Sequence, residues 1–187
     1  MNQVGIRSVL ITGANAGIGK EVARQLALRP GIETINLACR NEVKAQAAKK
    51  DLERETGKSI FKIIIMDVSD VGAVRSALKA LQGPIDAVVL NAGGIGGKTP
   101  MGLTRDGVTN IFAANVLGHV ALLEGLIDSG RLGKGAVYLG SEAARGVPKM
   151  GGKRPVLPTS SVQDFVDVCR ARTLLARRSI RCWRMAR

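Results

Sequence analysis

Apolar and polar positions follow two different patterns over the first ninety residues of the chain, short apolar runs and longer segments with helical spacing. Four short apolar runs rich in β-branched residues predict buried strands, namely Ser8–Thr12, Glu33–Cys39, Ile60–Met66 and Ile85–Leu90. The longer segments between them carry apolar residues at helical spacing, as at Ile18, Val22 and Leu26, and again at Val71, Val74, Leu78 and Leu81. Strands that alternate with such helices are typical of a parallel sheet, so the pattern predicts a doubly wound α/β fold.

The second half of the chain is less regular. Helical spacing predicts a long helix over about Arg105–Ile127, and a fifth strand is predicted at Ala136–Leu139. After Ser141 a stretch rich in proline and glycine predicts a loop. Ser161 and Asp164 then stand three residues apart before an apolar run, which is the pattern of a capping box, so a last helix is expected to begin there.

The net charge of +13 is unevenly distributed. Residues 169–187 contain seven arginines and no acid, which leaves 21 basic against 15 acidic residues and a net charge of +6 for positions 1–168. We therefore divide the chain into a domain over 1–168 and an atypical arginine-rich tail over 169–187. One hypothesis is that the tail is an out-of-frame translation and that the chain is truncated.

The composition is that of one soluble domain. Apolar residues make up 45% of the 187 positions and aromatic residues only 3%, which predicts an aliphatic core. No run approaching the roughly 20 apolar residues of a membrane span is recognised, so no span and a cytoplasmic location are expected. The three cysteines have neither disulfide nor metal-site spacing, and no metal is expected.

The first predicted strand leads into a glycine-rich turn. Gly13, Gly17 and Gly19 follow the strand with the spacing G-x-x-x-G-x-G. The first glycine permits a tight turn, the second lets backbone N–H groups approach a pyrophosphate, and the third allows close packing of the helix. Because a helix N-terminus also favours phosphate, the turn, including Asn15 and Ile18, predicts a dinucleotide site.

This glycine spacing resembles that of the short-chain dehydrogenase/reductase family, and further matches follow in chain order. Asp67 and Val68 come after the third strand, where the family's aspartate contacts adenine. Asn91-Ala92-Gly93 resembles the family's N-A-G motif, and Asn115 and Ser141 resemble its helix asparagine and its catalytic serine.

The resemblance covers roughly residues 4–141. It implies a Rossmann-type fold with three α/β/α layers, incomplete on its C-terminal side, and a cofactor site formed by the matching residues. It also implies a dimer surface, so a homo-oligomer is a possibility left open.

The end of the second strand bears on the choice of cofactor. NAD-specific relatives carry an acid there, whereas this chain has Arg40, with Lys44 one helical turn further on. A guanidinium suits a 2′-phosphate, so NADP(H) is favoured over NAD(H). The alternative is that Arg40 only begins a solvated helix.

The resemblance implies catalysis by a tyrosine and a lysine spaced Y-x-x-x-K, a serine that orients the substrate oxygen, and an asparagine that holds a water. Ser141 and Asn115 match the last two roles. The one tyrosine, Tyr138, lies in the predicted fifth strand with Glu142 four residues later, so the Y-x-x-x-K pair is expected to be absent. Equally open are a structural role for Ser141 and local bonding by Asn115. His119 is interpreted as a packed helix residue.

Three functions remain in competition. The first is an NADP-dependent oxidoreductase acting on a small carbonyl or alcohol. The second is a binder of the same dinucleotide without catalysis. The third is an arginine tail that binds a nucleic acid or an anionic surface, but no nucleic-acid motif accompanies the charge and no specific nucleic acid is expected.

Overall fold

The computed structural model describes residues 5–95, 97–141 and 159–171 of the chain. Its strands are β1 (Ser8–Thr12), β2 (Thr34–Cys39), β3 (Phe61–Ile65), β4 (Ile85–Leu90) and β5 (Leu132–Tyr138). Its regular helices are α1 (Gly17–Ala27), α2 (Glu42–Thr56), α3 (Val71–Ala80), α4 (Asn110–Phe112), α5 (Gly118–Asp128) and α6 (Val162–Cys169). A π-helical segment, Ala113–Leu117, joins α4 to α5 into one continuous helical stretch.

Several helices begin and end at residues whose side chains or backbone satisfy the terminal peptide groups. Asn41 caps α2 by accepting a hydrogen bond from the Lys44 N–H at 2.9 Å, and Gly57 ends the helix with a φ of 68°. At α6 the predicted capping box is confirmed, because the Ser161 hydroxyl accepts from the Asp164 N–H and the Asp164 carboxylate accepts from the Ser161 N–H.

All five strands are parallel and lie in the order β3-β2-β1-β4-β5. Val9 pairs with Ile35 on one side and with Ala87 on the other, which makes β1 the central strand. The chain adds β2 and β3 on one side of β1 and then crosses to add β4 and β5 on the other. This arrangement confirms the predicted doubly wound sheet.

Two hydrophobic cores lie on opposite faces of the sheet. On one face, α1 and α2 contribute Ala23, Ala27, Ala45 and Leu52. On the other, α3 and α5 contribute Val74, Ala77, Leu122 and Leu126. Alternate strand residues point to opposite faces of the sheet, so both faces are apolar and both are covered by helices. The result is the predicted three-layer α/β/α fold.

The buried face of α1 differs from the predicted stripe. Gly19, Ala23 and Ala27 are buried, while Val22 and Leu26 flank them. Ile18 is 65% exposed, so its assignment to the core-facing stripe was wrong. Small residues occupy the contact line because the helix lies close to the sheet at the glycine turn.

Two further boundaries differ from the prediction. The predicted helix over Arg105–Ile127 begins only at Asn110, and β5 begins at Leu132 rather than Ala136. The short segment before Asn110 is tied instead by an antiparallel bridge between Leu103 and Thr109.

The helical stretch Asn110–Asp128 also corrects the statement about membrane spans. Its 19 residues are long and apolar enough to cross a membrane by length and composition alone. Leu122 and Leu126 are fully buried against the sheet, but only 28% of the apolar segment is buried. The cytoplasmic location stays a prediction.

Within the described part of the chain, β5 is an edge strand that pairs with β4 alone. Val137 and Tyr138 are 59% and 52% exposed. The predicted proline- and glycine-rich loop over 142–158 lies outside the described residues, as does most of the tail, and the proposed boundary at residue 168 falls in the last turn of α6.

Candidate functional site

The carboxyl ends of all five strands meet at one edge of the sheet. The glycine turn follows β1 there, and Asn91 follows β4, the neighbour of β1. Because the chain winds in opposite directions from β1 and β4, a crevice opens between them, and ligands of doubly wound proteins bind at such a point.

The three glycines of the turn have distinct geometries. Gly13 has a φ of 68°, and a Cβ there would lie 3.0 Å from the Cα of Ala92. A Cβ on Gly19 would lie 2.5 Å from Nδ2 of Asn91 and 2.6 Å from the carbonyl oxygen of Gly13. Gly17 has a φ of 55° with open space around it. The first and third glycines therefore pack the turn against β4, while the second faces solvent.

The N-terminus of α1 leaves its backbone N–H groups without a side-chain partner. The N-cap residue, Ala16, makes no capping hydrogen bond, and the first turn contains no acid. The exposed Ile18 lies in this first turn. An uncapped helix N-terminus carries partial positive charge and suits an anionic ligand.

Beneath the turn lies the thiol of Cys39, at the end of β2. It is buried, and burial raises its pKa, although the backbone N–H groups of Ala14 and Asn15 act on the sulfur in the opposite direction. A thiol with a raised pKa is a packing group rather than a nucleophile.

The next residue, Arg40, is exposed and begins the connection to α2. Its guanidinium makes no ion pair or hydrogen bond with the residues that the structure describes. Lys20 on α1, in contrast, is paired, because its ammonium lies 2.9 Å from the carboxylate of Asp51. Arg40 is therefore a cation beside the glycine turn whose hydrogen-bonding capacity is unused.

Asp67 and Val68 form the loop after β3. The Asp67 carboxylate accepts hydrogen bonds from the Ser69 N–H at 2.9 Å and from the Ser69 hydroxyl at 2.7 Å. The backbone of Val68 lies so close to the helical stretch that a Cβ on Gly118 would lie 1.7 Å from its carbonyl oxygen. A glycine at position 118 is what allows this loop to sit where it does.

Thr12, the last residue of β1, links the turn to the segment after β4. Its buried hydroxyl oxygen accepts hydrogen bonds from the backbone N–H groups of Asn91 and Ala92, each at 2.9 Å. The Asn91 side chain returns a bond to the Thr12 carbonyl at 2.9 Å. These bonds bring the predicted residues Gly13, Asn91 and Ala92 into one unit.

Asn115 connects the π-helical segment to the same unit. Its Oδ1 accepts from the Gly94 N–H at 3.0 Å, and its Nδ2 donates to the carbonyls of Gly94 and Ile111, both at 2.7 Å. Gly93 lies directly against it, because a Cβ there would be 2.7 Å from Oδ1. The side chain of Asn115 thus holds the residues after β4 in place. It bonds locally to Ile111 in its own helical stretch and over a long range to Gly94.

Three polar groups surround the end of β5. Tyr138 donates its hydroxyl hydrogen bond to the carbonyl oxygen of Asn115. Its ring meets that of His119 edge to face, with centroids 5.6 Å apart. Ser141 is exposed at the same end of the sheet. The interpretation of His119 as a packed helix residue is confirmed, since it is only 2% exposed.

Thr12 and Gly118 belong to the site but were not predicted from the sequence. A polar residue that ends an otherwise apolar strand was a usable signal for Thr12. Nothing in the local sequence distinguishes Gly118 from Gly125 on the same helix. Among residues 5–95, 97–141 and 159–171 no cluster of three or more histidine, cysteine or acidic side chains could hold a metal ion.

A parallel sheet in this order with a glycine turn at its crevice defines the class of nucleotide-binding α/β proteins. The family description "short chain dehydrogenase" matches residues 7–146. The chain belongs to the short-chain dehydrogenase/reductase family, whose members bind NAD or NADP.

Relatives and solved structures agree with this assignment. Retinol dehydrogenase 13 of Homo sapiens is 37% identical over 125 residues, which is 65% of this chain and 37% of that protein. WW domain-containing oxidoreductase of Danio rerio is 36% identical over 142 residues, 73% of this chain and 34% of that protein. The chain thus spans between a third and two fifths of the length of these relatives.

Among solved structures, a 3-oxoacyl-[acyl-carrier protein] reductase with bound NAD from Brucella melitensis has a TM-score of 0.55 at 26% identity, covering 74% of this chain and 55% of that one. L-Sorbose reductase from Gluconobacter frateurii, complexed with NADPH and L-sorbose, shares the fold with a TM-score of 0.60 at 24% identity, covering 75% and 55%. The two contain different cofactors, so the choice between them has to be argued from this chain.

Proposed function

We propose that this chain binds NADP(H) in preference to NAD(H) and forms the cofactor half of an oxidoreductase acting on a small carbonyl or alcohol. The observation that carries the proposal is that α1 has an uncapped N-terminus and that the exposed Arg40 next to it has no partner among the described residues. Together they offer orphan N–H groups to a pyrophosphate and a planar cation to a 2′-phosphate.

The residues at the crevice fit a dinucleotide. The open space and positive φ at Gly17 leave the backbone accessible, with Asn15 and Ile18 on either side. We assign Asp67 and Val68 to the adenine end and Asn91, Ala92 and Gly93 to the wall of the crevice. This assignment is supported by the hydrogen bonds that already hold the wall to Thr12 and Asn115.

The bound cofactor would supply the hydride acceptor or donor. Within this chain, Asn115 and Ser141 are the residues proposed to serve the reaction. The Asn115 side chain holds the wall of the crevice, and the backbone carbonyl oxygen of Asn115 accepts a hydrogen bond from the Tyr138 hydroxyl. Ser141, exposed at the end of the sheet, would orient a substrate oxygen. A positioned acid or base commonly contributes about 10²- to 10⁴-fold in rate, and we assign that role to none of the described residues.

The second candidate is a dinucleotide-binding module without turnover. The observation behind it is that the one tyrosine of the sequence is Tyr138 and that the residue four positions later is Glu142. Oxidation of NADPH in the presence of a panel of small aldehydes and ketones separates the two candidates, since only the first predicts consumption that depends on the carbonyl. A tail that binds anionic surfaces remains a weaker third candidate, tested by salt dependence.

The binding proposal is tested by calorimetric titration of the full chain with NADPH and with NADH. We expect tighter binding of NADPH, and we expect Arg40→Ala to weaken it by about 10- to 100-fold, because a hydrogen bond to a charged group contributes about 1.5–3 kcal/mol. NADH affinity should change by less than about threefold.

Arg75→Ala is the matched control. Arg75 is an exposed arginine on α3 for which the described residues provide no partner, and it lies away from the crevice. Equal losses in both variants would indicate a general charge effect and would contradict a specific phosphate site. Binding of neither nucleotide to the wild-type chain would refute the proposed function.

A further inference from the structure

His119 is a buried histidine outside the residues assigned to the cofactor. It lies in the first turn of α5, with its Nε2 3.2 Å from the hydroxyl oxygen of Thr12. The ring is 2% exposed and packs edge to face on Tyr138. It thus sits directly behind the hydroxyl that holds the wall of the crevice.

The hydrogen bonds of the Thr12 hydroxyl determine whether Nε2 of His119 donates or accepts. A hydroxyl has two lone pairs and one proton. Both lone pairs are occupied by the N–H groups of Asn91 and Ala92 at 2.9 Å. The single proton is left to donate, either to His119 Nε2 at 3.2 Å or to the Val89 carbonyl at 3.4 Å. Because both lone pairs are already occupied, a hydrogen bond between Thr12 and His119 requires Nε2 to be the acceptor.

An acceptor at Nε2 fixes the protonation state of the ring. The neutral imidazole must then carry its proton on Nδ1, because only one nitrogen of a neutral ring can accept. Nδ1 is buried and has no hydrogen-bond partner among the described residues. The backbone of Asn115, one turn earlier, acts to raise the pKa of the ring, and its carbonyl oxygen also accepts from the Tyr138 hydroxyl.

We propose that His119 is a positioning residue for the cofactor site: its neutral Nδ1–H tautomer accepts the Thr12 proton and thereby keeps both Thr12 lone pairs on the Asn91 and Ala92 amides. This inference rests on the proposed function, since it assigns a role at the same crevice. Protonation of His119 places an N–H against an oxygen that has no free lone pair, so one of the two amides must be released.

The surroundings of the ring favour the neutral form. The ring contacts Thr12 from β1, Tyr138 from β5 and the backbone of Asn115 from its own helical stretch. The cavity beside it is lined by apolar residues and Tyr138, namely Leu90, Val116, Val120, Leu123, Ala136 and Tyr138. Tyr138 is the one titratable side chain in that set, which contains no carboxylate, lysine or arginine. Burial lowers the pKa of His119 accordingly.

The test compares His119→Gln with His119→Phe in the full chain, using NADP⁺ as the probe because it tolerates acid. Glutamine keeps an acceptor that does not titrate, whereas phenylalanine keeps the ring volume without an acceptor. At pH 7.5 we expect Phe to weaken NADP⁺ binding at least fivefold and Gln to restore most of the loss.

A pH series separates a positioning role from simple packing. One pH unit below the pKa of His119, wild-type affinity should fall about tenfold more than that of His119→Gln, since binding then requires removal of a proton. The 2′-phosphate of NADP⁺ also titrates in this range, but it affects binding to both proteins equally and so cancels in the comparison. Equal pH profiles in the two proteins would overturn the inference.

Nuclear magnetic resonance tests the same inference without any ligand. His119 is the only histidine in the chain, so its ring signals need no assignment. We expect ring ¹⁵N shifts typical of a proton on Nδ1, and amide signals of Asn91 and Ala92 that titrate with the ring. A proton on Nε2 at neutral pH would overturn the inference even if NADP⁺ binds. Failure of the wild-type chain to bind NADP⁺, with these spectra as expected, would refute only the proposed function.

Discussion

Gly118→Ala tests the close contact between the helical stretch and the loop of Asp67 and Val68, which we assign to the cofactor site. In a helix interior, alanine is ordinarily more favourable than glycine by about 1 kcal/mol. Here the added Cβ would lie 1.7 Å from the carbonyl oxygen of Val68 and 2.6 Å from its carbonyl carbon. A normal C···O contact is about 3.3 Å, so the helix or the loop has to move by roughly 1.6 Å.

The obstructing atoms belong to the backbone, which no rotamer change can remove. Overpacking of this kind costs about 1–3 kcal/mol and sometimes more. Because the obstruction is severe, we expect a cost at the upper end of this range, about 3 kcal/mol, against a gain in helix propensity of about 1 kcal/mol. Gly118→Ala should therefore lower the free energy of unfolding by about 2 kcal/mol net. Because the displaced loop contains Asp67 and Val68, nucleotide affinity should fall as well.

Gly125→Ala provides the matched control on the same helix. Its Cβ would lie 2.4 Å from Cδ1 of Leu78, the far end of a flexible side chain that can rotate away. Equilibrium urea unfolding followed by circular dichroism measures both variants, with an unchanged m-value as the sign of a common unfolding reaction. The reasoning is refuted if Gly118→Ala is as stable as the wild type, or if Gly125→Ala loses as much.

Three other perturbations have defined outcomes. Because the pKa of His119 is lowered in the folded protein, the unfolded chain binds more protons, so stability should decrease as pH falls below about 6.5; a pH series of urea midpoints that is unchanged in His119→Gln would contradict this. Leu122→Ala, at a fully buried site, should cost about 2–5 kcal/mol, against less than about 0.5 kcal/mol for Val120→Ala on the exposed face. Ser161→Ala removes the capping bond to Asp164 and should cost about 1 kcal/mol of α6 stability, detectable as faster amide exchange confined to that helix; uniform change along the chain would argue against it.

Local sequence patterns were sufficient where each element carries its own signals. The bounds of β1 and β4 agree with the predicted runs, because short apolar runs rich in β-branched residues are too short for a typical helix and favour a strand. The capping box at Ser161 likewise depends on residues three positions apart. The glycine spacing, together with Asn91 and Asn115, was enough to identify the family.

Positions that depend on contacts distant in the chain were less accessible. Helical spacing assigned Ile18 to the core, but the approach of α1 to the Asn91 side chain leaves room only for Gly19 on that side. The helix after β4 begins late because the residues before Asn110 are held by the bridge of Leu103 to Thr109. In both cases a partner from another part of the chain overrides the local pattern.

The sequence by itself therefore determined the order of strands and helices, the glycine turn and the family, since these follow from periodicity and from backbone conformations that few residues adopt. Tertiary structure alone decided the hydrogen bonds by which Thr12, Asn115 and His119 hold the wall of the crevice. Such a network depends on distances between residues about 80 to 110 positions apart. Hydrogen-bond geometry at that separation is fixed by the packing of the sheet against α5, which no short segment of sequence encodes.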